Sequence, residues 1–190
     1  MRRSVILALA SLSLLLPVMS LGASASARPA GRATGGLLVT YRGWGPLHRG
    51  MTAKQAQRTG MVTTKLDHCA PGYQLAPRFA SRGYLVWNYA KKPWTIRYIN
   101  VIGPRDHTKE GTHAGTTLAQ LRRQHPHLSK VVSGASLTGQ QPSKKDIWVA
   151  YVQKSYGTLD YEFPYGPRPT TKSAIDTIMV SKKPAVFYGC

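Results

Sequence analysis

An eleven-residue pattern occurs twice in this chain and constrains its fold more than any other feature. Residues 48–58 and 113–123 both fit H-x-G-x-T-x-x-Q-x-x-R, with 5 of the 11 positions identical. The two copies are offset by 65 residues. Self-similarity at this distance, in a chain of 190 residues, indicates two related structural units in tandem.

The repeated threonine and glutamine have the spacing of a helix capping box. A threonine at the N-cap accepts a hydrogen bond from the third helical residue, and a glutamine there returns one. A glycine two residues before the threonine allows the chain to turn into the helix. We therefore predict two short helices, ended by Gly60 and Pro126. The predicted helix-start turns contain Gly50, Thr52 and Gln55 in the first copy and Gly115, Thr117 and Gln120 in the second.

Runs rich in β-branched and aromatic residues follow each predicted helix, as is typical of strands. They are 73–75, 83–89 and 95–102 after the first helix, and 130–133, 147–153, 158–165 and 174–180 after the second. Helices this short are stable only when packed on another element. The sequence therefore predicts an α+β fold of two tandem units, residues 37–104 and 105–190. In each unit a short helical segment packs on a three- or four-stranded antiparallel sheet.

The first 27 residues have the order of a secretory signal. A cationic start precedes an apolar run at 5–16 and a small-residue stretch ending in Ala25-Ser26-Ala27. The apolar run is shorter than the ~20 residues of a membrane-spanning helix, so we expect cleavage and no stable membrane insertion. Residues 28–36 are expected to be a flexible leader. The protein is predicted to be secreted and extracellular. Association with the cell wall is left open as a further alternative.

The chain has two cysteines, Cys69 and Cys190. In an exported protein a cysteine pair favours a disulfide, which here would join the end of the chain to the first unit. The alternative is a reactive thiol in the Asp67-His68-Cys69 run. Neighbouring residues of a strand point to opposite faces, so His68 is badly placed to activate this thiol. We predict the disulfide.

The two helix-start motifs resemble those of a known family. Gly-Met-Thr-x-x-Gln at 50–55 and Gly-Thr-Thr-x-x-Gln at 115–120, each followed by strands, are similar to the β-lactamase inhibitor protein fold and the related small outer-membrane-assembly lipoproteins. The resemblance covers residues 37–190 at the level of pattern. It implies a secreted, non-catalytic protein that grips a partner enzyme with a concave aromatic sheet. It also implies a hairpin near residues 80–83, where Arg82 stands in place of the inhibitor's acidic residue.

Aromatic and basic residues in the predicted strands and turns are the candidate binding residues. Tryptophan and tyrosine commonly anchor protein interfaces, although in a small β-rich protein they also fill the core. The sequence predicts an aromatic sheet face, with cations at its edge, that binds a secreted or envelope protein as an inhibitor would. The candidates are Arg82, Trp87, Tyr89, Lys91, Lys92, Trp94, Trp148, Tyr161 and Tyr165.

Net charge supports an alternative function. Lysine and arginine total 26 against 7 acidic residues, a formal charge of +19, and loss of Arg2 and Arg3 with the signal leaves +17. Such a charge attracts anionic wall or membrane polymers. Nucleic acid is not expected as a partner, because no nucleic-acid-binding motif is present. The paired cations are Lys91-Lys92, Arg122-Arg123, Lys144-Lys145 and Lys182-Lys183.

Catalytic and metal-binding patterns are weak. Asp160 and Glu162 fall on one face of a predicted strand, about 7 Å apart, a spacing that also occurs in glycoside hydrolases. Because apolar residues alternate with them, we interpret them as solvent-facing acids. The His125-Pro126-His127 run has no accompanying ligands at a recognised spacing. We predict no enzyme, no metal and no cofactor.

Overall fold

A computed structural model of the chain describes residues 35–66 and 72–186. The strands of the first half are β1 (Leu38–Thr40), β2 (Gly43–Trp44), β3 (Leu47–His48), β4 (Val62–Leu66), β5 (Tyr73–Leu75), β6 (Gly83–Asn88) and β7 (Thr95–Val101). Those of the second half are β8 (His107–Thr108), β9 (Val132–Ser133), β10 (Asp146–Lys154), β11 (Gly157–Gly166) and β12 (Thr177–Ser181). The helices are α1 (Ala53–Arg58), α2 (Pro77–Ala80), α3 (Leu118–Gln124) and α4 (Gly134–Leu137). Strands predominate over these short helices, in agreement with the predicted α+β class.

A six-stranded antiparallel sheet, in the order β6-β7-β12-β11-β10-β9, contains strands from both halves of the chain. The halves meet where β7 pairs with β12, with Val101 opposite Ile178 and Ile99 opposite Val180. Strands β1, β2, β3 and β8 form a second sheet, and β4 pairs with β5. Strands β6 and β7 of the first half and β9 to β12 of the second half therefore form one continuous sheet.

Both predicted capping boxes are present. The Thr52 amide donates to Gln55 Oε1 at 2.8 Å, and the Thr117 amide donates to Gln120 Oε1 at the same distance. Each threonine hydroxyl accepts the returning amide hydrogen bond. Helix α1 ends before Gly60, which has a positive φ of 71°. The two helices therefore begin and end where local residue chemistry predicts.

The two helix-start turns are attached to the rest of the fold in the same way. In each, a glycine amide donates to an isoleucine carbonyl, and the isoleucine amide donates back to the residue after the glycine. The bonds join Gly50 and Met51 to Ile96, and Gly115 and Thr116 to Ile175, at N···O distances of 2.8–3.0 Å. Both isoleucines are buried. The repeated sequence therefore corresponds to a repeated backbone contact.

One face of the large sheet carries the hydrophobic core. The core contains side chains from β1–β3, α1, α3 and the inner strands of the large sheet. Its largest buried members are Trp44, Trp87, Tyr161 and Phe163. Burying an aromatic side chain stabilises a fold by roughly 2–3 kcal/mol, so each of these four rings is a substantial contribution to the packing energy.

The prediction of a solvated polar face on β11 is wrong. Asp160 is 0% exposed and Glu162 is 4% exposed. The cause at Asp160 is visible: β11 lies between β10 and β12, and the segment after β12 returns over the carboxyl group, where Ala185 contacts it. Alternation along one strand does not reveal that both faces of an inner strand are covered.

The hairpin expected at residues 80–83 is also absent from the described chain. Helix α2 ends at Ala80, and Ser81 and Arg82 form the turn that leads into β6. No helix among the described residues has the length and apolarity needed to cross a bilayer. The predicted signal, most of the predicted leader, and both cysteines of the predicted disulfide lie outside the described residues.

Candidate cationic binding groove

A groove of about 930 Å³ lies at one end of the large sheet. Its walls come from the β1–β2 turn, the loop before α1, the junction of β6 and β7, the β10–β11 turn, and the segment that follows β12. Segments distant in sequence meet here because the strand register places the end of β6, the start of β7 and the end of β12 together. The basic residues that line it are Arg42, His48, Arg49, Arg97, Lys182 and Lys183.

The charge of the groove is one-sided, because none of its lining residues is acidic. Arg42, Arg97, Lys182 and Lys183 are exposed, so their charges face solvent. Cations gathered along one concave surface repel one another and together create a positive potential. A multivalent anion bound there would relieve this repulsion by contacting several cations at once.

Aromatic and backbone contacts position three of the guanidinium groups. The Arg42 guanidinium lies 5.5 Å from the centre of the Tyr156 ring, and that of Arg97 lies 4.9 Å from the centre of the Tyr98 ring. Arg49 Nη2 donates to the Tyr156 carbonyl at 2.9 Å. Partial burial lowers the pKa of Arg49 from its ordinary value, and nearby Asp160 opposes this shift. The groups are thus partly ordered before any ligand arrives, which reduces the entropy cost of binding.

A buried carboxyl group lies beside the groove wall. Asp160 Oδ2 is 2.5 Å from the Ser181 hydroxyl oxygen, and Asp160 Oδ1 accepts a hydrogen bond from the Ala185 amide at 3.4 Å. Burial raises the pKa of Asp160 to about 7, although the two hydrogen bonds and Arg49 oppose the rise. This group is unsuited to forming a strong ion pair, but it can change charge near neutral pH.

Two of the predicted binding residues are buried and do not form part of a binding surface. Trp87 is 2% exposed and Tyr161 is 0% exposed. The Trp87 indole donates to the Tyr73 carbonyl at 3.2 Å, and Tyr161 stacks near His125 within the core. Their side chains stabilise the fold, in agreement with the alternative prediction that aromatic residues fill the core.

Four predicted residues do gather at the β6–β7 turn. Tyr89 is 58% exposed, and Lys91 and Lys92 are exposed beside it. Lys92 Nζ lies 5.9 Å from the centre of the Trp94 ring, which also packs near Tyr73. This aromatic turn adjoins the groove, since Asn88 and Thr95 at its base line the groove wall.

Trp148 and Tyr165 lie at the opposite end of the large sheet. The Trp148 indole donates to the Gly166 carbonyl at 2.9 Å, and Arg168 lies 5.9 Å from its ring centre. Tyr165 is 68% exposed. The strand register separates these residues from the β6–β7 turn by the length of the sheet, so the structure does not bring the predicted aromatics into one patch.

Arg82 has a structural partner. Its guanidinium forms a salt bridge with Asp106, which is fully buried, and Arg82 Nε donates to Asp106 Oδ2 at 2.9 Å. Asp106 also accepts a hydrogen bond from the Leu37 amide at 2.6 Å. The Arg82 side chain is 20% exposed, so its guanidinium is largely buried in the contact with Asp106.

The sequence contained only one signal for the groove. Lys182-Lys183 is one of the four cation pairs, whereas Arg42, Arg49 and Arg97 are single residues with no shared spacing. His48 is the first residue of the repeated pattern, and its position there does not indicate a groove. Only the tertiary fold brings these residues together, so no local sequence pattern predicts that they line one groove.

In residues 35–66 and 72–186, no three His, Cys, Asp or Glu side chains are placed to hold a metal ion. The chain matches no protein family model, no curated protein and no solved structure.

Proposed function

We propose that the protein is a non-catalytic binding protein that holds anionic polymers in the cationic groove. The observation that carries this proposal is the composition of the groove wall, where five lysine and arginine side chains and one histidine occur without an acidic residue. A polymer with regularly spaced phosphate, sulfate or carboxylate groups can contact several of these cations in succession. The exposure of four of the cations favours a solvated, flexible ligand.

Several features support a binding role over catalysis. The acidic pair that suggested a hydrolase, Asp160 and Glu162, is buried and does not line the groove. General acid and base groups must reach the substrate directly or through one water molecule. Apart from His48, the charged groups of the groove are lysine and arginine side chains, which bind anions without supplying proton-transfer chemistry.

The setting of this function is part of the same proposal. The N-terminal sequence favours export, which would bring a cationic groove into contact with wall polymers and lipid headgroups. We also propose that the two halves are tandem helix-on-sheet units related to the inhibitor-like family named above. The matching capping boxes and the matching backbone bonds to Ile96 and Ile175 support that relationship.

The test is binding of a sulfated dextran to the protein beginning at Arg28. The groove variant is Arg42→Gln with Arg97→Gln, and its matched control is Arg122→Gln with Arg123→Gln on the exposed face of α3. Both double variants remove the same charge. We expect the groove variant to lose about tenfold in affinity at low salt and the control to lose less than about threefold.

The binding should also weaken steeply with added salt, because exposed charges are screened over about 10 Å at 0.1 M. Equal losses in the two double variants would show that net charge, and not the groove, determines binding. That result would refute the proposed site.

A second candidate function is binding of a protein partner at the β6–β7 turn. The exposed Tyr89 ring and the Lys92–Trp94 contact favour it, because aromatic residues flanked by cations are common in interfaces. Inhibition of a secreted or envelope enzyme is the form of this function that the family resemblance implies. Retention of one protein from culture supernatant at high salt, and its loss on Tyr89→Ala, would identify this mode.

A further inference from the structure

The hydrogen bonds at Ser181 depend on the protonation state of Asp160. The Ser181 hydroxyl oxygen is 2.5 Å from Asp160 Oδ2 and 2.6 Å from the Lys183 carbonyl oxygen. A hydroxyl group has one proton to donate, while a carboxylate and a carbonyl only accept. Both contacts are satisfied when a protonated Asp160 donates to Ser181 and Ser181 donates to Lys183. The geometry therefore fits the neutral acid.

The surroundings of Asp160 agree with a neutral acid. In the part of the chain that the structure describes, Asp160 forms no salt bridge. The groups near it are Arg49 from the loop before α1, Tyr151 opposite it on β10, the adjacent Tyr161, and the backbone of the segment after β12. Glu162 lies two residues along β11, on the same strand face. Met179, its partner on β12, carries no charge. Burial raises its pKa to about 7, near the pH of most biological fluids.

Asp160, the Ser181 hydroxyl and the Lys183 carbonyl form a hydrogen-bond relay that joins Asp160 to the groove. Lys183 and Ala185, the two backbone groups that the relay holds, belong to the segment 182–185 that forms one groove wall. Lys182 and Lys183 project two of the five permanent cations of the groove. The position of these cations therefore depends on a hydrogen-bond chain that contains one titratable proton.

We infer that protonation of Asp160 regulates anion binding: the neutral acid fixes the segment 182–185 as a groove wall, and the ionised acid breaks the relay and adds a negative charge beside the bound anion. This inference rests on the proposed function of the groove. Both effects favour anion binding to the protein with the neutral acid. The Ala185 amide, which hydrogen-bonds more strongly to the ionised acid, opposes the first of them. Anion affinity is high when Asp160 is protonated and falls as the pH rises through its pKa.

Linkage makes the effect reciprocal. If a bound anion favours the protonated form, it raises the pKa of Asp160 by the same free energy that protonation adds to binding. A tenfold difference in affinity between the two forms corresponds to a rise of about 1 in that pKa. The carboxyl group can therefore be observed directly, without reference to the affinity.

The experiment measures the affinity of sulfated dextran between about pH 5 and pH 9 at constant ionic strength. Sulfate esters keep their charge over this range, so the probe does not titrate. Histidine gains charge in the same range, and His48 lines the groove, so both arms carry His48→Gln. The test variant adds Asp160→Asn, which retains a donor for Ser181 and an acceptor for Ala185.

We expect the affinity of the His48→Gln protein to fall by about tenfold as the pH rises across this range. The variant that also carries Asp160→Asn should keep the low-pH affinity throughout. Parallel pH profiles in the two proteins would overturn the inference while leaving the groove intact. Absence of binding at every pH, in these proteins and in the unmodified chain, would refute the proposed function itself.

Two further measurements keep the inference testable if Asp160→Asn fails to fold. Carboxyl NMR should show the pKa of Asp160 rising when sulfated dextran saturates the groove, and an unchanged pKa would overturn the inference. Ser181→Ala removes the relay without changing charge. It should lower the affinity at low pH by part of the difference between low and high pH, because the neutral Asp160 adds no negative charge. An unaltered low-pH affinity would show that the relay has no influence on the groove.

Discussion

Two fully buried aspartates lie near arginine residues in this protein, and they have opposite electrostatic roles. Asp106 forms a salt bridge with Arg82 and accepts a further hydrogen bond from the Leu37 amide. Asp160 lies near Arg49 but forms no salt bridge with it, and its carboxyl group contacts a hydroxyl and an amide instead.

The difference shows that burial does not determine the charge of an acid by itself. A carboxylate can remain ionised in a protein interior when a cation contacts it directly and amides complete its hydrogen bonds. Arg49 instead donates to the Tyr156 carbonyl, so its charge remains part of the groove. Arg82 serves the fold, and Arg49 remains available for a ligand.

The largest effect should come from breaking the Asp106 pair. Asp106→Ala leaves the Arg82 guanidinium without its partner and removes the acceptor of the Leu37 amide. We expect a loss of about 3–5 kcal/mol in the free energy of unfolding, measured with urea. Glu110→Ala, which removes an exposed acid, is the matched control and should change stability by less than about 0.5 kcal/mol. A loss from Asp106→Ala as small as that from Glu110→Ala would show that the Asp106 contacts are energetically unimportant.

A smaller effect should appear in the pH dependence of stability. The pKa of Asp160 is raised from 3.8 to about 7 on folding, so the folded state binds the proton more tightly than the unfolded state does. The resulting stabilisation is complete below about pH 4 and is lost as the pH rises to about 7. Over this interval the contribution of Asp160 should fall by about 2–4 kcal/mol.

Asp160→Asn should remove that slope. The comparison is the free energy of unfolding of both proteins at about pH 4 and about pH 8, with the largest gain of the variant over the unmodified chain at the higher pH. A variant that follows the same pH profile as the unmodified protein would show that Asp160 titrates normally in the folded state.

The smallest effect should come from Arg49→Gln. Arg49 contributes one hydrogen bond to the Tyr156 carbonyl, so we expect a loss of at most about 1 kcal/mol. The substitution also removes a cation that lowers the pKa of Asp160, so that pKa should rise, as carboxyl NMR can measure. A fall in this pKa, or a loss of stability as large as that of Asp106→Ala, would remove the distinction between the two arginines.

Features encoded by adjacent residues were predictable from the sequence. The capping boxes depend on residues three apart, and the strand β5 follows from a short run of strand-forming residues between turns. The predicted strand at 95–102 also agrees with β7 to within one residue. These elements are specified by local chemistry, which the surrounding fold reinforces.

Features that depend on distant residues were not predictable. Arg42, Arg97 and Lys182 become neighbours only after the strand order is established. The burial of Asp160 required knowledge that β11 is an inner strand and that the segment after β12 crosses it. The aromatic candidates failed for a related reason, because Trp87 and Tyr161 point toward the core face of the sheet.

The pairing of β7 with β12 has a consequence for how the chain is made. Synthesis proceeds from the N-terminus, so β6 and β7 emerge long before β12, and β7 has an open edge until the last strand is available. An unpaired edge can associate with other chains. A chain truncated after β11 would retain two such edges, one on β7 and one on β11. Addition of β12 therefore pairs both of these edges and leaves β6 and β9 as the outer strands of the six-stranded sheet.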